Sequence, residues 1–416
     1  MELGWIDFSK SEREKILNIL DALTEPGVLD ELGVSPIRDG YSDLFFPGTS
    51  TIQTRAKYFF IVPYALKDLE VNKEKDYSKL KKILDDTEER CARKLLKINS
   101  QEMGIIGRRS IASNKWVKRT PSSIYWAGLR KYQIFKAKIS IDQYIKIIAY
   151  QKRNKSNIIN LGRKNDDEED HDDKNAGIGK KVHFLNIPSY DPKWKENFDM
   201  NLTPEEGQFL KNQIISTCGN SMIAHILKED MWYILEYDSF RDLEKCIKKF
   251  PDNIQNDYNN AKSFSKFVYV LRVIYNLIVS EDKNENAKEE FIKLQPELKK
   301  IADVDIEGIF SSLRLYNPHL KTFLIRSREL MKENDIDGLK SIIRSREIML
   351  KGESRSKTAH PGEFDENVWF AGRCLDYRFN NAKNIIRDIF ESENPENISK
   401  QIYDEAAEEK QKYGGI

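Results

Sequence analysis

Residues 33–70 read GVSPIRDGYSDLFFPGTSTIQTRAKYFFIVPYALKDLE, and the punctuation of this stretch sets the fold class. Pro36 suits the first turn of a helix with Ser35 as its cap. Pro47-Gly48 breaks that helix, and Thr49, Ser50 and Thr51 offer side-chain oxygens to start another. In the second helix Ile52, Ala56, Phe59 and Phe60 share a buried stripe, Gln53, Arg55 and Lys57 point elsewhere, and Pro63 kinks or ends it. Helix, tight break, helix predicts a mainly α protein. The stretch also sets Arg38, Asp39, Asp43, Gln53 and Arg55 among bulky aromatics. One arrangement is an anion site, with Arg38, Arg55 and capping N–H groups around a phosphate. The other is an ion-pair network in which Asp39 and Asp43 neutralise Arg38 and Arg55. Charges among aromatics are usually paired, which favours the second.

The flanking sequence extends the helical pattern. Upstream, Ile16, Ile19, Leu20 and Leu23 share one face of a helix over residues 10–23. Downstream, residues 73–98 predict a long exposed helix with Leu80, Ile83, Leu84, Cys91, Leu95 and Ile98 on its dry side.

Between Gly104 and Lys138 the charge shifts. This passage holds Arg108, Arg109, Lys115, Lys118, Arg119, Arg130, Lys131, Lys136 and Lys138, and no acid. Thr120-Pro121-Ser122-Ser123 is a helix start, with Thr120 as cap and Pro121 first. The helix after it presents Ile124, Leu129 and Ile134 as core, with Trp126, Arg130 and Lys131 outside. A short helix, a turn and a capped helix with basic flanks predicts a winged-helix or helix-turn-helix-like element. Ser122, Ser123 and the free N–H groups of that helix start would meet phosphates. The alternative is a basic face paired with acids of a partner or of this chain.

The predicted organisation is two-lobed: an N-terminal helical domain over 1–152 carrying the basic element, a flexible acidic linker over 153–181, and a C-terminal α-helical domain over 182–416. The linker centres on DDEEDHDD, whose spacing is not that of a calcium loop; His171 within it reads as solvated. Its charge complements the basic passage, which it is expected to cover when nucleic acid is absent. In the C-terminal part Thr203, Pro204 and Glu206 spell a capping box. His225 reads as a core histidine, and AKSFSKFVYVLRVIYNLIVS at 261–280 as a central helix whose Arg272 meets a carboxylate. IRSRELMK at 325–332 echoes IRSREIM at 343–349 on an adjacent helix. Arg326 and Arg328 read as surface pairs with glutamates. Arg344, Arg346, Lys351, Arg355 and Lys357 read as a second loop contacting a nucleic-acid backbone. Near the C-terminus, Asp376, Arg378 and Arg387 read as ion-pair members.

Composition narrows the function. Lys plus Arg number 68 against 67 Asp plus Glu, so nucleic-acid affinity must come from local patches. The four cysteines, Cys91, Cys218, Cys246 and Cys374, are far apart, which fits a reduced interior and excludes a CxxC motif. The apolar runs are too short for a bilayer or are interrupted by Arg272, and the N-terminus has no signal core, so a cytoplasmic location without membrane partners is expected. No phosphate-binding loop, nucleophile elbow or HExxH stands in the chain. His319-Leu320-Lys321 matches half of a phospholipase-D-type motif, but Arg326 stands where that motif needs an acid. Glu281 with Lys283, Glu297 with Lys299, and Asp252 are the pieces of a metal-dependent nuclease signature. No catalytic residue, cofactor or metal is assigned.

GWIDFS at 4–9, SPIRDGYSDLFFPGTSTIQTRAKYFFIVPY at 35–64, RTPSSIYWAGLRKY at 119–132 and LDYRF at 375–379 together resemble an uncharacterised bacterial family known only as a domain of unknown function. The resemblance covers most of the chain and is weakest in the linker. It transfers no catalytic residue. It implies a DNA-associated role in a multi-protein antiphage defence system, with helicase or phospholipase-D-like nuclease subunits as partners. The expected function is a non-catalytic nucleic-acid-binding subunit, DNA more than RNA. The alternatives are a protein-only scaffold and a metal-dependent nuclease.

Overall fold

A computed structural model describes residues 30–162, 184–188, 190–196, 198–362 and 375–393. The helix expected at 10–23, the acidic run with His171, and Cys374 lie outside the described residues. The protein is mainly helical, as its sequence predicts. Among the described residues there is no strand, only one isolated antiparallel bridge between Phe135 and Leu185.

The opening stretch forms the helices Ser35–Phe45 and Tyr58–Val71. The second begins later than its Ser/Thr signal suggested. The Thr49 hydroxyl donates back to the Phe46 carbonyl at 2.7 Å instead of capping forward, and Ile52 is exposed. Pro63 lies inside the helix, which runs on to Val71. This helix buries Phe59, Phe60, Ile61, Val62 and Leu66 on all sides rather than along one stripe, so it is a core helix.

Two compact units divide the chain: Asp43–Phe250 with Leu375–Ile416, and Met1–Ser42 with Pro251–Cys374. They follow contacts rather than chain order, so they differ from a division at 153–181. In the first unit Tyr58–Val71 packs on Tyr77–Ile98 and Pro121–Lys131, and both of these pack on Ile141–Gly162. Asp376–Glu393 lies against Pro204–Cys218 and Met222–Lys228. Aromatic rings fill the layers: Phe59 meets Tyr125 edge-on at 5.0 Å, and Trp126 meets Phe135 at 4.4 Å between centroids. Trp126 is therefore core and not the outward residue its spacing suggested; its indole N–H donates to the Ile139 carbonyl at 3.0 Å.

In the second unit the Asp252–Val279 helix packs on Glu285–Leu294 and Ile336–Lys351, matching the central helix read at 261–280. Burial weakens the hold of Arg272 on its proton, and the field of Asp30 and Glu31 opposes that effect. The echoed motifs lie on two adjacent helices, Pro318–Glu333 and Ile336–Lys351, joined through left-handed Asn334.

Candidate nucleic-acid interface

The basic passage is pinned to the core at its start and near its middle. At its start the Thr54 hydroxyl donates to the Gly104 carbonyl at 2.6 Å, and the Ile106 amide donates to the Tyr58 hydroxyl at 2.8 Å. Near its middle the buried Glu88, on the Tyr77–Ile98 helix, accepts the Ser122 amide at 2.6 Å and the Ser122 hydroxyl at 3.1 Å. Burial pushes the Glu88 carboxyl up to about 8, and the bonds from Ser122 pull the other way. Between the pins lie the five-residue helix Arg108–Ala112, which buries nothing, and a turn leading into Pro121–Lys131.

Glu88 corrects one expectation. Ser122 is buried and its amide and hydroxyl are both taken, so it does not present them to a phosphate. Ser123 is exposed, but its hydroxyl donates to the Thr120 carbonyl at 2.8 Å. The helix start is thus satisfied by a buried carboxyl group of the protein itself.

The cations of the passage behave differently. Arg109, Lys115, Lys118, Arg119, Arg130, Lys131, Lys136 and Lys138 are exposed. Among the described residues none of them pairs with a carboxylate. Arg108 is half-buried and donates to the carbonyls of Glu102 at 3.2 Å and Gln101 at 3.5 Å. In a chain whose cations and acids nearly cancel, the passage keeps positive charge that no carboxylate among the described residues offsets by pairing.

The second basic loop comes apart. Arg346 is buried, donates to the Leu32 carbonyl at 3.0 Å and lies 5.3 Å over the Phe323 ring. Lys351 meets Glu347 at 3.1 Å and Glu31 at 3.7 Å, and Lys357 meets Glu31 at 3.1 Å. Only Arg344 and Arg355 stay exposed, and Arg355 donates to the Lys351 carbonyl at 3.0 Å. Arg326 and Arg328 are paired with glutamates as read: Arg326 with Glu329 one turn on at 3.0 Å, and Arg328 with Glu307 of the Ile306–Ser312 helix at 3.2 Å, a partner that helical spacing does not mark.

The charges of the opening stretch are paired, but not as the sequence suggested. Arg38 does meet Asp39, at 2.7 Å. Asp43 pairs with Arg378 rather than Arg55. Arg55 is held by Asp388 at 2.9 Å and by Glu102. Gln53 is buried, and its amide donates to the Gly48 carbonyl at 3.2 Å. Asp388 also accepts the Ala56 amide at 2.7 Å; burial raises its carboxyl to about 6, against the pull of Arg55. Beside it the buried Lys57 donates to Glu206 at 2.6 Å, the same glutamate that closes the Thr203 capping box. An anion entering here would have to displace carboxylates. Neither Asp388 nor Glu102 has a sequence neighbour that marks it as the partner of Arg55; the pairs are closed by packing over long chain separations. No group of three His, Cys, Asp or Glu that could hold a metal stands among the described residues.

Comparison with known proteins adds one fact to this geometry: a family model matches residues 1–307. The chain belongs to DUF6361, a family of unknown function. The match takes in the opening stretch, the pins and the whole basic passage of this DUF6361 member. Searches of curated proteins and of solved structures give no match. Among the described residues no helix is long and apolar enough to cross a membrane.

Proposed function

We propose that this DUF6361 member is a non-catalytic nucleic-acid-binding protein that meets the phosphate backbone through residues 107–138. The observation that carries this reading is the set of exposed cations Arg109, Lys115, Lys118, Arg119, Arg130, Lys131, Lys136 and Lys138, unpaired among the described residues. A self-contained fold would pair or disperse such charges; a polyanion partner neutralises them and releases counterions. The short helix, the turn and the helix that starts at the Ser122 pin form a helix-turn-helix-like display. Ser122 anchors that display, and the side chains that meet phosphate are the flanking Arg and Lys. DNA is favoured over RNA on the family resemblance, which also suggests a bacterial defence-type assembly with helicase or nuclease subunits. Binding measured against duplex DNA, single-stranded DNA and RNA over a salt series tests the proposal. Affinity that falls steeply with salt is the expected result. Salt-insensitive or absent binding to all three would favour a protein-only scaffold.

A further inference from the structure

A second feature lies in the unit formed by Met1–Ser42 and Pro251–Cys374. From Gly308 to Arg328 the chain again carries no acid, while holding Arg314, His319, Lys321, Arg326 and Arg328. Arg326 and Arg328 are engaged by Glu329 and Glu307. Arg314 and His319 are exposed and have no carboxylate partner among the described residues. Between them stands Tyr316, 93% exposed, more than any other large apolar side chain described.

The segment that displays Tyr316 is held on both sides. Upstream, the Ile306–Ser312 helix closes with the Leu315 amide on the Phe310 carbonyl at 2.9 Å and the Arg314 amide on the Ser311 carbonyl at 3.1 Å. Arg314 takes the left-handed conformation, φ 48°, that such a terminus requires and that glycine fills at lower cost. Downstream, Asn317 accepts the Leu320 amide at 3.0 Å and Pro318 opens the next helix. Next to it, Asp257 accepts the Ser312 hydroxyl at 2.7 Å. The ring adds nothing to burial, yet its backbone is ordered in advance. An aromatic face on a fixed segment, with the exposed Arg314 on one side in sequence and the His319 imidazole on the other, has the features that hold single-stranded nucleic acid: a base stacks on the ring and a neighbouring phosphate meets the guanidinium.

We propose that Tyr316, flanked by Arg314 and His319, is a base-stacking platform for single-stranded nucleic acid. This deepens the nucleic-acid reading above and rests on it. The test uses the full chain and two probes, an oligodeoxythymidine single strand and a duplex of mixed sequence, with Tyr316→Ala and Tyr316→Phe. Stacking of one base is lost with alanine and kept with phenylalanine. Tyr316→Ala should therefore weaken single-strand binding about tenfold, leave duplex binding unchanged, and be rescued by Tyr316→Phe. Arg314→Ala should lower the salt slope for the single strand by about 0.7. Equal single-strand affinity for wild type and Tyr316→Ala, alongside salt-sensitive wild-type binding, overturns the platform and spares the basic passage. Wild type that binds neither probe overturns both.

Discussion

Glu88 and Ser122 stand 34 residues apart and are joined twice, amide to Oε1 at 2.6 Å and hydroxyl to Oε2 at 3.1 Å. The carboxyl is buried, so it gives up the water it would otherwise bind and depends on Ser122 in exchange. Its ordinary value of 4.5 is raised to about 8 in the fold. Between those values the folded chain holds a proton that the unfolded chain releases. The stability tied to Glu88 is complete below about 4.5 and is lost as the pH rises through about 8. Asp388 follows the same sign with a lower upper limit, about 6. The interval from about 6 to 8 therefore isolates Glu88. Thermal midpoints should fall across it in the wild type and stay level in Glu88→Gln, whose carboxamide keeps an acceptor for the Ser122 amide. Parallel slopes in the two proteins would contradict this.

The Lys57–Glu206 pair, 2.6 Å apart and buried on both sides, should behave as a unit. Lys57→Met leaves Glu206 buried without its cation and should cost about 3–5 kcal/mol. Lys57→Met with Glu206→Gln should recover part of that loss, since neither side then carries a buried charge. Denaturant titration of the two single variants and the double variant measures the coupling, and strict additivity would count against it.

Gly48 has φ +81° and faces Tyr132 so closely that an added Cβ would lie 2.6 Å from the ring. Alanine there meets both the left-handed backbone and the ring, and should destabilise by about 2–4 kcal/mol. Gly352 also has positive φ, +77°, but nothing lies within 4 Å of its added Cβ. Gly352→Ala should cost only the backbone share, about 1–3 kcal/mol for a conformation that glycine almost alone adopts. Comparison of the two variants by chemical denaturation separates packing from backbone strain.

Much of the architecture was legible in local signals. Pro36 after Ser35, Pro121 after Thr120, and the Thr203–Glu206 capping box each mark a helix start that the structure contains. The IRSR echo resolves into adjacent helices because Asp335 caps the second. What stayed hidden needs tertiary information. Ser122 reads as a phosphate contact until Glu88 arrives from another helix, and Asp388 reaches Arg55 across 333 residues. Arg346 and Lys351 sit in a run that reads as basic, yet burial takes the first and Glu31 and Glu347 take the second. Periodicity reports which face is apolar, not which charges find partners. The exposed cations of the basic passage, Arg108 apart, have no carboxylate partner among the described residues, so their charge reads the same in the sequence and in the fold.

The measurement that bears most directly on the proposed function is the salt dependence of duplex DNA binding by Arg109→Glu/Lys118→Glu/Arg119→Glu beside the wild type. All three side chains are exposed, so the variant keeps its core. Each phosphate contact removed lowers the slope of log affinity against log salt by about 0.9. The account predicts a flatter slope and affinity weaker by on the order of a hundredfold at low salt. Identical slope and affinity in the two proteins would contradict it.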